Sequence, residues 1–358
     1  MPTYFICEIG QNHNGSMDIA RQLIDTAAMP IEDSLFDRRL PGADAVKFTK
    51  RDLTQELSAS MMNQPYPSEH SFGATYGEHR AFLELSDAQH YELYRHAKTK
   101  GLDFVETLCS PKCLGLLRYF SPDRLKVASR DLTNLPLIEA MAETRIPMIL
   151  STGMTGRSAL DEALGIITKH HAEVTILHCL SEYPARYENI NLRTIVFLQE
   201  QYPDFTIGYS DHSIGIMAPV AAVTLGAQVI EKHVTLDRSM KGSDHAGSLE
   251  PEGLWRVVRD IRNLEQSLGI RAMVASEAAA PARRKLQRSI ATRRPLKRGR
   301  IIRQEDLHLL SPGDGFLWSQ RRLVVGQRLA QDVPANEIIY RSMLAPTRTR
   351  ASKIARAV

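Results

Sequence analysis

The sequence predicts an α/β chain, a (β/α)8 or TIM barrel followed by a small module of short strands and turns. Three observations predict it. Up to about residue 269, eight short apolar, β-branched runs alternate with longer stretches of helical period, which is the count for such a barrel. Beyond Gly269 the rhythm changes to short apolar pairs punctuated by Pro295, Gly299, Pro312, Gly313, Gly315, Gly326 and Pro334. The 358 residues hold a barrel of about 250 residues with a small module to spare.

The strand runs are Tyr4–Ile9, Ala45–Phe48, Asp103–Thr107, Leu125–Ser129, Pro147–Thr152, Glu173–Cys179, Phe205–Tyr209 and Gln228–His233. Between them, Ala88–Lys100, Leu135–Arg145, Ser158–Lys169 and Pro251–Leu268 carry apolar residues at three- and four-residue steps. Gly101 and Gly269 follow helix ends, where a left-handed residue is expected. Two segments break the rhythm. Pro30–Pro41 reads as an inserted surface loop, and Leu53–Leu85 is a long connection rich in Pro, Gly, Ser and Tyr. The expected divisions are a barrel over 1–269, a linker over 270–284, a compact module over 285–345 and a disordered basic tail over 346–358.

Composition excludes several classes. With 43% hydrophobic and 24% charged residues, the chain belongs among soluble globular proteins. No apolar stretch approaches the roughly 18 residues needed to cross a bilayer, and Thr3–Ile9 is too short, and carries Glu8, to serve as a signal peptide. A cytoplasmic protein without membrane contact is expected. The net charge is +4, and Arg348, Arg350, Lys353 and Arg356 supply four positive charges, so residues 1–347 balance to zero. That argues against a nucleic-acid partner. From Ala278 to Gln304 there are ten Lys/Arg and no acid, either a solvated face or a surface near an anionic ligand or subunit. Cys7, Cys109, Cys113 and Cys179 show no C-x-x-C spacing and read as reduced thiols at strand ends.

In a barrel of this kind the C-terminal ends of the strands face the active site. Here those ends are polar: Glu8 to Gly15, Lys47, Glu106-Thr107, Lys126 to Asp131, Ser181-Glu182-Tyr183, Ser210-Asp211-His212 and Glu231-Lys232-His233. Strands seven and eight are neighbours, so His212 and His233 could converge on one ion. Two nitrogens completed by water and substrate oxygens suit Mn²⁺ or a related divalent metal. Strand alternation points Glu231 to the face of His233, as a ligand, an orienting group, a proton-transfer residue, or simply a carboxylate paired with Lys232 or an arginine. Lys47 and Lys126, with Thr107, Ser129 and Ser210, could bind phosphate through cations and hydroxyl donors. Either lysine could instead form a Schiff base, as in a class I aldolase. Nucleotide-binding glycine loops and a nucleophile elbow are both missing.

These stretches then resemble one family in order through both parts of the chain. They are EIGQNHNG at Glu8, ADAVKF at Ala43, PYPSEHSFGATYGEHRAFLELS at Pro65, KVASRDLTNLPLI at Lys126 and ILSTGM at Ile149. SEYPARYENINLR at Ser181, IGYSDHSIG at Ile207 and VIEKHVTLDRSMKGSDHAGSLEP at Val229 follow. The chain resembles the sialic acid synthases, whose barrel precedes an antifreeze-like (SAF, β-clip) domain. The resemblance implies an enzyme that condenses phosphoenolpyruvate with an amino-sugar aldehyde, N-acetylmannosamine by default, to give N-acetylneuraminate and phosphate. It implies metal ligands at His212 and His233, with Mn²⁺ foremost and Mg²⁺ or Co²⁺ as alternatives. It places phosphoenolpyruvate on Lys47, Thr107, Lys126, Ser129, Ser181, Tyr183 and Ser210. Glu8 handles the added water, Glu231 is a further acid beside the metal, and Asp131 and Asp244 contact the sugar. A homodimer is also implied, with Arg288 of the C-terminal domain reaching the sugar across the subunit boundary.

Departures from the family lie near the ligands. Thr49 stands where glutamine is common, Arg130 replaces a common glycine, Ser181 occupies a position shared with asparagine, and Pro30–Pro41 is longer than usual. The sugar therefore stays open between N-acetylmannosamine, its 6-phosphate, and a diacetamido sugar giving legionaminic or pseudaminic acid. A Schiff-base aldolase and a carbohydrate- or ice-binding protein built around the C-terminal module are the readings from other classes.

Overall fold

The computed structural model describes residues 2–34 and 36–346, which form two compact units divided between Gly269 and Ile270. In the first, eight parallel strands close into a barrel. They are β1 (Tyr4–Gly10), β2 (Ala45–Lys50), β3 (Asp103–Leu108), β4 (Arg124–Val127), β5 (Met148–Ser151), β6 (Val174–Cys179), β7 (Thr206–Asp211) and β8 (Val229–His233). All eight expected runs are barrel strands. Closure comes from β1, which pairs with β8 from Tyr4↔Val229 to Glu8↔His233 and with β2 at Glu8↔Lys47.

Strand alternation sorts every side chain to one side of this wall. Inward, Ile6, Ala45, Val105, Ile149, Leu177 and Val229 pack into an apolar floor separate from the rest of the core. Each of the isoleucine, leucine and valine side chains among them contributes about 1.5–3 kcal/mol when fully buried. Outward, Phe5, Cys7, Val46, Phe48, Phe104, Leu125 and Val127 pack into the main core that the helices cover. Two positions beyond each floor residue the inward side chain turns polar: Glu8, Lys47, Thr107, Ser151, Cys179 and Glu231. On β7 the floor position is Gly208. A Cβ there would come within 2.6 Å of the Leu177 side chain and closer still to the Val229 carbonyl, so only glycine lets β6 and β8 close over the floor. The next inward residue is again polar, Ser210.

The helices follow their local signals. Ser86 and Gln89 form a capping box at the start of Asp87–Thr99. Pro251 opens Pro251–Leu268, which buries Leu254, Val257, Val258 and Ile261 and ends at Gly269, φ +53°. From that helix the buried Arg262 donates to the Thr3 carbonyl and to the Asp44 carboxylate, 2.6 and 2.8 Å, which ties the last helix to the first two strands. No helix among the described residues is long and apolar enough to cross a membrane.

Three expectations are revised. Pro30–Pro41 is not a loop but an antiparallel hairpin, Ile31–Asp33 with Arg38–Leu40. Ile31 and Leu40 enter the core, and Arg38 bonds the Asp33 carboxylate at 3.0 Å and Gln266 at 2.8 Å. As an αβ connection it lies at the N-terminal end of the strands, away from the catalytic face. Leu53–Leu85 is not structureless, since it forms helices Leu53–Glu56, Ala59–Met62 and Tyr76–Leu83, and this βα connection stands on the catalytic face. Finally, the stretch expected as linker contains helix Ala280–Leu286, whose Arg284 and Leu286 carbonyls accept from Gly313 N–H and the Ser311 hydroxyl. It therefore packs as part of the C-terminal unit. That unit pairs β9 (Ser289–Thr292) antiparallel to β10 (Leu307–Leu310) around Ile290, Leu296, Ile302, Leu307, Val324, Leu329, Val333 and Ile339. Most of the expected basic tail, residues 347–358, lies outside the described residues.

Candidate active site

The polar layer above the floor opens into a cavity of about 310 Å³ at the C-terminal ends of the strands, within the size range of small-molecule sites. Lys47 and Lys126 rise from β2 and β4 into its base. Lys47 Nζ lies 2.5 Å from Glu8 Oε2, 3.7 Å from Glu231 Oε2 and 3.2 Å from Thr107 Oγ1. Lys126 Nζ donates to Ser151 Oγ at 2.7 Å and lies 3.8 Å from Glu231 Oε1. Ser210 donates to that same Glu231 oxygen at 3.0 Å. Two buried ammonium groups thus face two buried carboxylates, ringed by hydroxyls.

The surroundings drive the two carboxyls apart. Burial raises Glu8 up to about 7, with the nearby Glu231 charge adding to the shift and Lys47 opposing it. Burial also works against ionised Glu231, yet Lys126, Lys47 and the Ser210 hydroxyl outweigh it and hold that carboxyl down at about 2. One group is therefore a permanent anion and the other can gain or lose a proton near neutrality, the division of labour that acid–base chemistry requires. Lys47 is held above its usual value, because Glu231 and Glu8 outweigh burial, whereas burial leaves Lys126 below its own.

Beside this cluster, Gly153 lets a set of small donors converge. A Cβ on it would lie 2.6 Å from Ser181 Oγ and 2.9 Å from both Cys179 Sγ and Ser129 Oγ, while its own N–H donates to Ser129 Oγ at 3.0 Å. Such a cradle of hydroxyls and a backbone turn beside two lysines suits a phosphate.

His212 and His233 stand on the other wall, ring centroids 5.5 Å apart, with the Tyr183 ring 4.0 Å from His212. His212 Nδ1 lies 2.6 Å from the Leu180 carbonyl, which assigns the proton to that nitrogen and leaves the other as a ligand atom. His233 Nδ1 is buried without a partner among the described residues. Burial, followed by the His212 and Lys47 charges, lowers His233 to about 4 against Asp244 and Glu231, so its ring is neutral, the form a metal binds. These residues fit a divalent ion. Among the described residues no cluster of three His, Cys, Asp or Glu is positioned to hold one, so water or substrate oxygens would complete its shell.

Of the residues expected from sequence, Glu8, Lys47, Thr107, Lys126, Ser129, Ser181, Tyr183, Ser210, His212, Glu231, His233 and Asp244 all border this cavity. Asp131 does not. The 3-10 turn Ser129–Asp131 presents Ser129 and Arg130 to the cavity and turns Asp131 beneath Arg130, 3.2 Å from its Nε. Arg288 is exposed just ahead of β9, in the C-terminal unit. Asn12 and His13, in the first motif, are structural. Asn12 donates to the Val234 carbonyl and Ser248, and His13 accepts from Gly15 N–H. Lys232 is not the partner of Glu231, because it faces outward and pairs with Asp211 at 2.6 Å, both side chains fully buried. Sequence reasoning missed Ser151 and Cys179, which the alternation on β5 and β6 would have found. It also missed Tyr66, Tyr76, His79 and Arg80, supplied by the long connection after β2.

The Lys232–Asp211 pair sits directly behind the catalytic strands, with Asp211 also accepting from Tyr209, Ser213 N–H and the Ser213 hydroxyl. Lys232→Met leaves that carboxylate buried without its cation. It is expected to lower unfolding free energy by about 3–5 kcal/mol in denaturant titration, with partial recovery in Asp211→Asn/Lys232→Met. A loss below about 1 kcal/mol would show that the pair does not brace the site.

Comparison with known proteins places this architecture. Residues 39–272 match the NeuB family and residues 287–345 match the SAF domain. The chain is 36% identical over 306 residues to human N-acetylneuraminate-9-phosphate synthase, covering 86% of this chain and 82% of that protein. It is 34% identical over 341 residues to the N,N'-diacetyllegionaminic acid synthase of Legionella pneumophila, covering 94% and 92%. The crystal structure of an N-acetylneuraminic acid synthetase from Leptospira borgpetersenii, bound to citrate, superposes with a TM-score of 0.64 at 31% identity, covering 79% of this chain and 90% of that one. With a match that spans well over half its length, and a barrel whose polar layer holds the expected lysines, acids and histidines, the chain belongs to the NeuB family and carries a SAF domain C-terminal to its barrel in the sequence.

Proposed function

We propose that this enzyme joins phosphoenolpyruvate to an amino-sugar aldehyde of the N-acetylmannosamine type, yielding a nonulosonic acid and inorganic phosphate. The observation that carries the reading is the base of the cavity, where Lys47 and Lys126 meet Glu8 and Glu231 beside the Ser129–Gly153–Ser181 cradle. The two ammonium groups and the hydroxyls of Thr107, Ser129, Ser181 and Ser210 bind the phosphate and carboxylate of phosphoenolpyruvate, and Tyr183 closes the wall beside them. C3 of the enol attacks the aldehyde carbon, and the aldehyde oxygen takes up a proton. The cation left at C2 is stabilised by the fixed charge of Glu231 and captured by water, whose proton passes to Glu8. The tetrahedral intermediate then collapses with cleavage of the C2–O bond, and phosphate leaves with the bridging oxygen. The protein contributes orientation and preorganised charge rather than a covalent bond.

A divalent ion held by His212 and His233, Mn²⁺ foremost, would supply Lewis-acid polarisation of the aldehyde. Asp244, kept ionised by His233, the Ser243 hydroxyl and His212 in spite of its burial, would receive sugar hydroxyls. A homodimer belongs to the same proposal, with Arg288 as the residue a second copy would bring. Four free, buried cysteines fit a reducing, cytoplasmic setting.

The deciding experiment supplies Mn²⁺, phosphoenolpyruvate labelled with ¹⁸O at C2, and a panel of amino sugars. The expected result is release of labelled phosphate and a product equal in mass to the sugar plus pyruvate. Unlabelled phosphate would refute C–O cleavage. Borohydride trapping of pyruvate on Lys126, with no phosphate release, would establish the Schiff-base aldolase instead.

A further inference from the structure

Three arginines border the cavity, and two of them are already neutralised. Arg51 lies 3.2 Å from Glu84 and 3.7 Å from Glu56. Arg130 lies 3.0 Å from Glu56 and 3.2 Å from Asp131. Arg80 differs, since no carboxylate comes within salt-bridge distance of it among the described residues. Its Nε and Nη2 both donate to the Tyr76 hydroxyl, at 2.9 and 2.6 Å, and its guanidinium lies 5.1 Å from the Tyr76 ring centroid. Nη1 has no partner among the described residues. The Tyr76 ring is itself fixed edge-on against Tyr66, 5.3 Å away. A half-buried guanidinium is thus held by aromatic packing, with part of its donor fork unused and no salt-bridged carboxylate among the described residues.

A second cation reinforces it. Lys241 sits 4.9 Å over the Phe72 ring, and Phe72 stacks on His79, the neighbour of Arg80. His79 feels both. Burial lowers it most, and the Arg80 and Lys241 charges lower it further against Asp244. The rim next to Asp244 therefore carries two cations, Arg80 and Lys241, neither within salt-bridge distance of a carboxylate among the described residues, well separated in role from the lysines at the base.

We infer that Arg80 is an outer anion subsite that reads a phosphate at the far end of the amino sugar, making a phosphorylated aldehyde sugar the preferred substrate. The inference rests on the reaction proposed above, which uses Lys47 and Lys126 for phosphoenolpyruvate and leaves Arg80 for the other substrate. A guanidinium fork matches a phosphate ester in shape and charge, and a neutral hydroxyl uses neither.

The test is steady-state kinetics on the full chain with N-acetylmannosamine and its 6-phosphate, for wild type, Arg80→Ala, Arg80→Gln and Arg80→Lys. Wild type is expected to favour the phosphorylated sugar in kcat/KM by about tenfold or more. Arg80→Ala should lower kcat/KM for that sugar about 10- to 100-fold, a loss at least several-fold greater than for the unphosphorylated sugar, and Arg80→Lys should recover part of it. Equal losses on both sugars, or a rise confined to the KM of phosphoenolpyruvate, would overturn the assignment. So would a wild type that turns over only unphosphorylated or diacetamido sugars, and that result would leave the synthase reaction standing. No phosphate release with any sugar would instead remove the reaction itself. Should Arg80→Ala fail to fold, Arg80→Gln and the wild-type preference decide the matter.

Discussion

Glu8→Gln is expected to lower kcat by about 10²- to 10⁴-fold, the usual contribution of a positioned proton-transfer group, while phosphoenolpyruvate still binds. The amide keeps an oxygen for Lys47, whose ammonium lies 2.5 Å from the carboxylate in the native enzyme, so the base of the cavity retains its donors. What it loses is a site that can accept the proton of the attacking water. Binding calorimetry separates the two effects. Normal turnover in the variant would remove Glu8 from the chemistry, and loss of phosphoenolpyruvate binding would reassign it to holding Lys47. The metal-free protein offers an independent check. Because burial raises Glu8 to about 7, its carboxyl is protonated below that pH and ionised above it. The infrared carbonyl band of a protonated acid should therefore fade as pH rises through about 7, and Glu8→Gln should lack that component. A carboxyl already ionised at pH 5 would contradict the burial argument. Glu231, held at about 2 by Lys126 and Lys47, should show no such band at either pH.

The contrast between these two acids shows what was legible in the sequence. Both were visible as charged residues at strand ends, and alternation correctly sent Glu231 and His233 into the barrel. Their different proton affinities were not visible. They depend on Lys126 lying 3.8 Å from Glu231 and on Lys47 being shared, distances set by barrel shear and not by spacing along the chain. The barrel itself was legible because eight apolar runs alternate with helical stretches, and on six of the strands an apolar inward residue is followed two positions later by a polar one. Ser151 and Cys179 obey that pattern, yet a serine and a cysteine at strand ends carry no charge to attract attention. Asp131 stays off the cavity wall for the opposite reason. It is charged and lies in a motif, but alternation stops at Val127, and the 3-10 turn that follows rotates it away. The hairpin within Pro30–Pro41 has strands of three residues, too short to display a period of two. Arg80 stayed hidden because its connection has no strand-end position, and its lack of a carboxylate partner among the described residues is a property of tertiary packing alone.

His212→Ala and His233→Ala should each abolish metal-supported turnover, with kcat/KM falling by about 10³-fold or more. Lewis-acid stabilisation worth several kcal/mol corresponds to such a factor. The readout besides activity is Mn²⁺ binding followed by electron paramagnetic resonance, which should weaken in each variant while far-ultraviolet circular dichroism stays native. Two features of the site make the effect steep. No cluster of three protein side chains is positioned to hold an ion among the described residues, so a lost imidazole has no substitute. The second nitrogen of His212 is also committed to the Leu180 carbonyl, 2.6 Å away, which fixes the tautomer and stops the ring from swinging to compensate for a missing neighbour. Among the described residues His233 has no such tether, since its buried Nδ1 finds no partner there. Adding the metal should therefore stabilise wild type against heat more than either variant. Undiminished turnover in a strong chelator, or unchanged Mn²⁺ affinity in both variants, would show that the two imidazoles are not the ligands. The Tyr183 ring packed 4.0 Å from His212 would then be the sign of a stacking wall for the sugar in place of a metal site.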